Sequence, residues 1–229
     1  MADFAHLRSP SRRTALERGR GIFTVEGALA LEALVDSPYP VRAVLVDRRR
    51  IGSLGDLVAR AGAPVYALAP DAVEALTGFA FHRGVLAVAE RPAPVPVEEV
   101  VAGARRLLVV EAVNDHENLG GLYRNAAAFG VDAVVCDPTT ADPLYRRVVR
   151  VSLGHVLRVP TARVGPGGWP GALGDLRAAG FAVLALTPAP DAEPVDRVAA
   201  DPPDRWAVLV GAEGPGLTAG ALAGARSEE

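Results

Sequence analysis

Short apolar runs separated by amphipathic stretches recur along the whole chain. In the first part, "IFTVEG", "VRAVLVD", "PVYAL" and "GVLAVAE" have the length and the β-branched content typical of strands. The stretches between them space their apolar residues as helices do. One ends at Gly62, and another has Pro70 at its start and Gly78 at its end, the positions that these residues favour in helices. The pattern predicts a small α/β sandwich with crossovers long enough to join parallel strands.

The same alternation continues in the second part of the chain. The predicted strands are "RLLVVEAV", "VDAVVCD", "HVLRVP", "FAVLALT" and "RWAVLVG", and the predicted helices are "LGGLYRNAAAFG", "DPLYRRVVRVS" and "PGALGDLRAAG". The strand runs are continuously apolar, which indicates that both faces of the sheet are covered. We therefore expect a mostly parallel, doubly wound sheet, which collects ligands at the carboxyl ends of its strands, near a reversal of strand order.

A proline-rich stretch, "ERPAPVPVEE", separates the two parts. Prolines at alternate positions fit neither a helix nor a central strand and favour an extended connector. The predicted organisation is an N-terminal domain over residues 1–92, a linker over 93–99 and a second α/β domain over 100–229.

Charge and reactive residues narrow the classes of function. The formal net charge is −3, yet arginines cluster near the N-terminus, at Arg48 to Arg50 and between Arg146 and Arg158. These clusters are either patches for a polyanion or simply the solubilising cations of a chain that has no lysine. Cys136 is the single cysteine, and the histidines show no ligand spacing, so we expect neither a disulfide nor a metal site. No signal peptide and no membrane-spanning run is visible, so a cytoplasmic protein without membrane association is expected.

The stretch "VNDHENLGGLYRNAAAFG" holds the only three asparagines of the chain. A composition that otherwise avoids asparagine indicates that the carboxamide group is needed there. Asn118 is placed to cap the following helix, whose buried stripe we predict at Leu122, Ala126 and Phe129. Arg124 would then project away from the core, where it could meet an anionic ligand. A capped helix with a solvated arginine explains the same pattern.

A second candidate stretch, "LVGAEGPGL", carries a strand into a glycine-rich loop with one carboxylate, Glu213. The loop lacks the ending of a P-loop, and its glycine spacing is not that of a dinucleotide-binding fingerprint. Taken alone, the pattern is equally compatible with a tight turn.

Taken together, "NDHENLGGLYRNAAAFG", "VRVSLGHVLRVP" and "VLVGAEGPGL" closely resemble the motifs of the SpoU/TrmH family of RNA ribose 2′-O-methyltransferases, in the knotted SPOUT superfamily. "FTVEGALALEALV" and "FHRGVLAVAE" resemble the family's small N-terminal RNA-binding domain. The similarity extends over about residues 8 to 217, in order and at plausible separations.

The resemblance implies an enzyme that transfers a methyl group from S-adenosylmethionine to a ribose 2′-hydroxyl of rRNA or tRNA, without a metal. It also implies a homodimer whose active site draws on the subunit interface. Asn118, Arg124 and Glu213 match the family's catalytic positions. The donor-binding positions that it implies are Thr187, Gly211, Gly214 and Leu217.

One part of the family pattern has no counterpart. The family's third motif, with a Ser-Leu-Asn signature and a final helix threaded to form a trefoil knot, is not found in "TAGALAGARSEE". We therefore expect the methyltransferase domain over 100–229 to be incomplete at its C-terminus, either because residues are omitted or because the protein is naturally short. The second case leaves a non-catalytic RNA-binding protein on the same scaffold as an alternative. An enzyme acting on a small nucleotide is a further alternative, against which the arginine clusters argue.

Overall fold

The computed structural model describes residues 1–78, 83–190 and 192–225; Phe81 and His82 of the "FHRGVLAVAE" motif and residues 226–229 lie outside them. The strands are β1 (Ile22–Glu26), β2 (Val41–Asp47), β3 (Val65–Leu68), β4 (Val85–Glu90), β5 (Arg106–Val110), β6 (Ala133–Cys136), β7 (Thr161–Arg163), β8 (Ala182–Ala185) and β9 (Trp206–Val210). The α-helices are α1 (Pro10–Arg20), α2 (Ala28–Val35), α3 (Ile51–Arg60), α4 (Pro70–Thr77), α5 (Val97–Ala102), α6 (His116–Ala128), α7 (Arg146–Val151), α8 (Ala172–Ala178), α9 (Val195–Ala200) and α10 (Ala219–Ala225). Short 3₁₀ turns occupy Ala2–Phe4, Arg48–Arg50 and His155–Leu157.

The chain divides into two compact units. Unit 1 comprises Met1–Ala93 and Asp142–Arg158, and unit 2 comprises Pro94–Ala141 and Val159–Glu229. The first boundary lies close to the predicted one. The predicted linker is only partly extended, because α5 begins at Val97 within it.

Residues 142–158, predicted as part of the second domain, group instead with unit 1. Arg146 of α7 donates to the carboxylate of Glu26 at the end of β1, with an Nη1–Oε2 distance of 2.8 Å. Gly154 lies against α2 so closely that an added Cβ would overlap Ala33, and its φ of +82° is one that glycine adopts without strain. An ion pair to a buried carboxylate and a close backbone approach therefore hold this segment, and neither is visible as a periodic pattern.

Unit 1 contains a four-stranded sheet in the order β1-β4-β2-β3. Only β2 and β3 are parallel, whereas β4 runs antiparallel to both β1 and β2. The predicted strands are therefore present, but the expectation of parallel pairing holds for one pair of neighbours. The apolar pattern of β4 records that both of its faces are buried and contains no information about its direction.

Unit 2 contains a five-stranded sheet in the order β7-β6-β5-β9-β8, in which all neighbouring strands are parallel. One face carries Leu107, Val109 and Leu209 in a core with residues of α5, α8 and α10. Helix α6 packs on the other face, since the Tyr123 hydroxyl lies 3.8 Å from Cys136 Sγ and 3.0 Å from Thr161 Oγ1. The predicted mostly parallel, doubly wound sheet is confirmed, and its strand order reverses between β5 and β9.

The predicted strand "HVLRVP" is wrong. Residues 155–157 form a 3₁₀ turn, and the edge strand β7 begins after Pro160. Proline has no N–H group to donate to a sheet ladder, so the pairing of β7 with β6 starts at Thr161.

Helix α6 begins earlier than predicted, and Asn118 does not cap it. Asp115 is the N-cap: its Oδ1 accepts from the backbone N–H groups of Glu117 and Asn118 at 2.8 and 2.9 Å. The buried stripe is Leu119, Tyr123 and Ala126, whereas Phe129 is 76% exposed. This stripe has the same spacing as the predicted one, so periodicity alone could not choose between them.

Because Asp115 supplies the cap, we expect Asp115→Ala to lower the free energy of unfolding by about 1 kcal/mol. Asn118→Ala is the matched control, and it should change stability by less than about 0.5 kcal/mol because it removes one exposed hydrogen bond. Urea unfolding followed by tryptophan fluorescence measures both, since Trp169 and Trp206 lie in unit 2 with α6. A larger loss for Asn118→Ala than for Asp115→Ala would contradict the assignment.

Candidate functional site

Two loops meet at the carboxyl edge of the unit 2 sheet, where the strand order reverses. The first leaves β5 and enters α6, and the second leaves β9 at Gly211. Asn118 Nδ2 donates to Glu213 Oε2 at 2.7 Å, which joins the two loops directly. Both side chains are exposed, so the pair faces solvent at an edge where such sheets bind ligands.

Arg124 stands apart from this pair. Its side chain is exposed, and within the described part of the chain no hydrogen bond or ion pair joins it to Asn118 or Glu213. Six residues along a helix place Arg124 about 120° around the axis from Asn118. Within one copy of the chain, the structure therefore does not bring Arg124 together with Asn118 and Glu213.

The glycine-rich loop is closed on itself. Ala212 and Gly216 form an isolated bridge, and the Gly216 N–H donates to the Ala212 carbonyl at 2.9 Å. A Cβ at Gly211 would overlap the backbone of Gly216 and Leu217, so this position requires glycine. Gly214 is exposed, and Leu217 packs against the apolar core beneath the sheet.

Thr187, the remaining predicted donor-binding residue, follows β8 on the neighbouring strand. The Leu186 N–H donates to the Leu209 carbonyl at 2.9 Å, so Thr187 continues to the level of Gly211. A cavity of about 540 Å³ opens there, lined by Thr187, Glu193 and mainly apolar residues from 185–195. Gly211, Gly214 and Leu217 do not line it.

Sequence reasoning did not single out Glu111, which follows β5. The residue is 2% exposed, and its carboxylate accepts three hydrogen bonds. Oε1 accepts from Trp169 Nε1 at 2.6 Å and from Thr218 Oγ1 at 2.7 Å, and Oε2 accepts from the Thr218 N–H at 2.8 Å. The available signal was a carboxylate directly after a buried strand, in the run "RLLVVEAV".

Asp137, which follows β6, fixes the backbone of the loop between β5 and α6. Its Oδ1 accepts from the Ala112 N–H at 3.0 Å, which holds Ala112 at a φ of +55°. Burial alone would raise the pKa of Asp137, but hydrogen bonds from Thr139 and Thr140 outweigh it, so the pKa lies below its usual value. A carboxylate that stays ionised therefore fixes the path between β5 and the Asp115 cap.

The basic residues of unit 1 fall into two groups. One group is paired with acidic or buried polar partners in unit 1: Arg13 with Glu17, Arg20 with Asp3, Arg146 with Glu26, and Arg158 with Asp36. These arginines therefore serve as ion-pair partners within unit 1. The other group is exposed, and its guanidinium groups form no hydrogen bond or ion pair within the described ranges; it comprises Arg8, Arg12 and Arg18 near the N-terminus and Arg48, Arg50 and Arg83.

Arg48, Arg50 and Arg83 share one edge of the unit 1 sheet. Arg48 and Arg50 follow the end of β2, and Arg83 precedes the start of the antiparallel β4. The Asp47 N–H donates to the Gly84 carbonyl at 2.9 Å, and the Arg50 side chain lies against Gly84. We call these three residues the unit 1 basic edge.

In the part of the chain that the structure describes, no group of three or more histidine, cysteine or acidic side chains is placed to hold a metal ion. None of the helices described is both long and apolar enough to cross a membrane.

Comparison with known proteins connects this geometry to a family. The model of the SpoU rRNA methylase family matches residues 105–227, which is more than half of the chain. A protein of Mycobacterium bovis named as an uncharacterized tRNA/rRNA methyltransferase is 47% identical over 221 residues, covering 96% of this chain and 76% of that protein. The Bacillus subtilis 23S rRNA (guanosine(2553)-2′-O)-methyltransferase RlmP is 32% identical over 221 residues, covering 96% and 82%.

Solved structures share the fold. The SpoU methyltransferase AviRb of Streptomyces viridochromogenes, in complex with AdoMet, superposes with a TM-score of 0.74 at 23% identity. The match covers 96% of this chain and 83% of AviRb. The family match spans both loops that the Asn118–Glu213 hydrogen bond joins. This chain belongs to the SpoU rRNA methylase family.

Proposed function

We propose that this chain transfers a methyl group from S-adenosylmethionine to a ribose 2′-hydroxyl of rRNA or tRNA. The observation that carries the proposal is the Asn118–Glu213 hydrogen bond, which joins the two family motifs at the sheet edge where ligands bind. The similarity to RlmP, a 2′-O-methyltransferase of 23S rRNA, supports the reaction class. With RNA as the substrate, the reaction takes place in the cytoplasm.

The donor site proposed here lies between the loops after β8 and β9. The cavity of about 540 Å³ at Thr187 is within the range of small-molecule sites, and the closed loop begins at Gly211, level with Thr187 on the neighbouring strand. Thr187, Gly211, Gly214 and Leu217 are the residues assigned to donor binding. When bound, S-adenosylmethionine supplies a methyl group already activated by a positively charged sulfur.

Arg124 has an electrostatic task in this proposal. A guanidinium stays protonated in proteins, so it is not a general base. It binds a phosphate of the RNA and stabilises the charge that develops on the ribose oxygen, an effect worth roughly 3 to 4 kcal/mol for one preorganised donor. Asn118 and Glu213 hold the two loops in register, which orients the ribose.

The active form that we propose is a homodimer. In one copy of the chain, Arg124 is exposed and forms no contact with the Asn118–Glu213 pair. A second copy can supply Arg124 to the pair, so that each active site combines residues of two subunits.

We expect Arg124→Ala to lower the methylation rate at least about a hundredfold, because a preorganised charge is removed from the transition state. RNA affinity should change much less. The melting temperature should stay at the parent value, since the Arg124 side chain forms no hydrogen bond or ion pair within the described residues. Transfer of labelled methyl groups to rRNA and tRNA from cells lacking the gene measures the rate.

The control is Arg105→Ala, which replaces an exposed arginine at the opposite edge of the sheet. Methylation at the parent rate by Arg124→Ala would remove this residue from the mechanism.

The shared active site gives a separate prediction. Asn118→Ala and Arg124→Ala should each be inactive alone, whereas dissociated and remixed subunits should recover up to about a quarter of the parent rate. Random pairing makes half of the dimers mixed, and each mixed dimer has one intact site. No recovery, with mixed dimers shown by mass spectrometry, would mean that both residues act within one subunit.

Unit 1 is the proposed RNA-binding domain, and unit 2 the methyltransferase domain. The unit 1 basic edge offers exposed guanidinium groups without internal partners among the described residues, which is the arrangement that phosphate contacts need. Its charge is local, so it coexists with an acidic chain.

Replacing Arg48 and Arg50 with alanine should weaken RNA binding, with a smaller effect at high salt. The slope of the logarithm of the binding constant against the logarithm of salt concentration should fall by about 0.7 to 0.9 for each phosphate that the variant no longer neutralises. Titration of labelled rRNA and tRNA at several salt concentrations measures this slope. Arg60→Ala is the control, because Arg60 is paired with Asp36 in the same unit, and its slope should match the parent. An unchanged slope for the double variant would place the RNA elsewhere.

Calorimetry distinguishes this enzyme from a non-catalytic RNA-binding protein on the same scaffold. The enzyme requires binding of S-adenosylmethionine to the chain, whereas RNA binding without donor binding would support the alternative.

A further inference from the structure

We propose that Glu111 is a positioning residue for the donor site: its buried carboxylate fixes the far end of the Gly211–Leu217 loop through Thr218. This inference rests on the proposed function, because it assigns a role in donor binding. It concerns a residue that is outside the proposed catalytic and donor-binding set.

Glu111 lies between the two strands that frame the site. It directly follows β5, and its backbone N–H donates to the Val210 carbonyl at the end of β9 at 2.9 Å. The pairing of β5 with β9 therefore fixes the Glu111 backbone at the point where the glycine-rich loop begins. Its side chain can reach the other end of the same loop because the loop turns back on itself.

Thr218 is the point at which this loop ends and α10 begins. Glu111 holds it twice, through the backbone N–H and through the hydroxyl. Thr218 Oγ1 in turn accepts from the Ala221 N–H at 3.2 Å, in the first turn of α10. One carboxylate thus ties the start of a helix to the sheet and leaves the loop little freedom at either end.

A carboxylate suits this position better than an amide. All the groups that face it are donors, namely the Trp169 indole N–H, the Thr218 hydroxyl and the Thr218 backbone N–H. Glutamine would turn an NH₂ group toward at least one of these donors and leave it unsatisfied in a buried place. The loop would then shift, and the shift would reach Gly211 and Glu213 because the bridge between Ala212 and Gly216 moves with it.

The test compares binding of S-adenosylmethionine by calorimetry in the full chain and its variants. We expect Glu111→Gln to raise the Kd about tenfold to a hundredfold, the effect of removing a hydrogen bond to a charged group. Glu99→Gln, an exposed carboxylate of α5, should bind as the parent does. RNA affinity should be unchanged in both variants, since the basic edge is in unit 1.

Variants of Thr218 distinguish a local change in the loop from misfolding of the whole chain. Thr218→Val removes the hydroxyl and should raise the Kd, whereas Thr218→Ser keeps the hydroxyl and should restore parent binding. On the Glu111→Gln background, Thr218→Val should add less than it does on the parent, because both changes disrupt the same hydrogen bond. Fully additive effects of the two substitutions on the Kd would overturn the inference, and so would parent binding by Thr218→Val. If Glu111→Gln does not fold, the comparison of Thr218→Val with Thr218→Ser is the test.

The outcomes also separate this inference from the proposed function. A parent chain that does not bind S-adenosylmethionine would overturn both. A parent that binds, together with a Glu111→Gln variant that folds and binds equally well, would overturn the inference alone.

Discussion

The parallel pairing of β5 with β9 is the constraint on which the site depends. These strands are separated by about a hundred residues in sequence yet lie side by side in register from Arg106 and Trp206 to Val110 and Val210. Because both strands end at the same level, the loops that follow them must share one edge. The Asn118–Glu213 hydrogen bond and the Glu111 contacts with Thr218 both follow from this pairing.

Much of this architecture could be predicted from the sequence. Continuous apolar runs predicted the parallel sheet of unit 2, and glycine and proline marked several helix ends. The strand direction in unit 1 could not be predicted, since the pattern of β4 reflects only burial. In α6, two stripes with the same spacing competed, and packing against the β6 and β7 side of the sheet selected Leu119, Tyr123 and Ala126.

The polar contacts of the candidate site could likewise be predicted only in part from the sequence. The asparagine window and the glycine-rich loop were found from sequence, and the structure brings Asn118 and Glu213 together. The capping role assigned to Asn118 belongs to Asp115, because the first turn forms earlier than the apolar spacing indicates. Glu111 was missed because its importance comes from three donors, two of them on a residue far along the chain. Local spacing cannot reveal such partners.

Because residues 142–158 belong to unit 1, the order in which the chain is synthesised affects its folding. Glu26 is buried, and its paired cations within the described residues are Arg146 and Arg150, the first of them 120 residues downstream. While the ribosome is still translating the region between the two, the nascent N-terminal part holds a carboxylate without its counter-charge. That part therefore completes its fold only after the first segment of unit 2, Pro94–Ala141, has been synthesised. A fragment cut at the proline-rich stretch would lack these arginines, and it is a poor choice for expressing the N-terminal unit by itself.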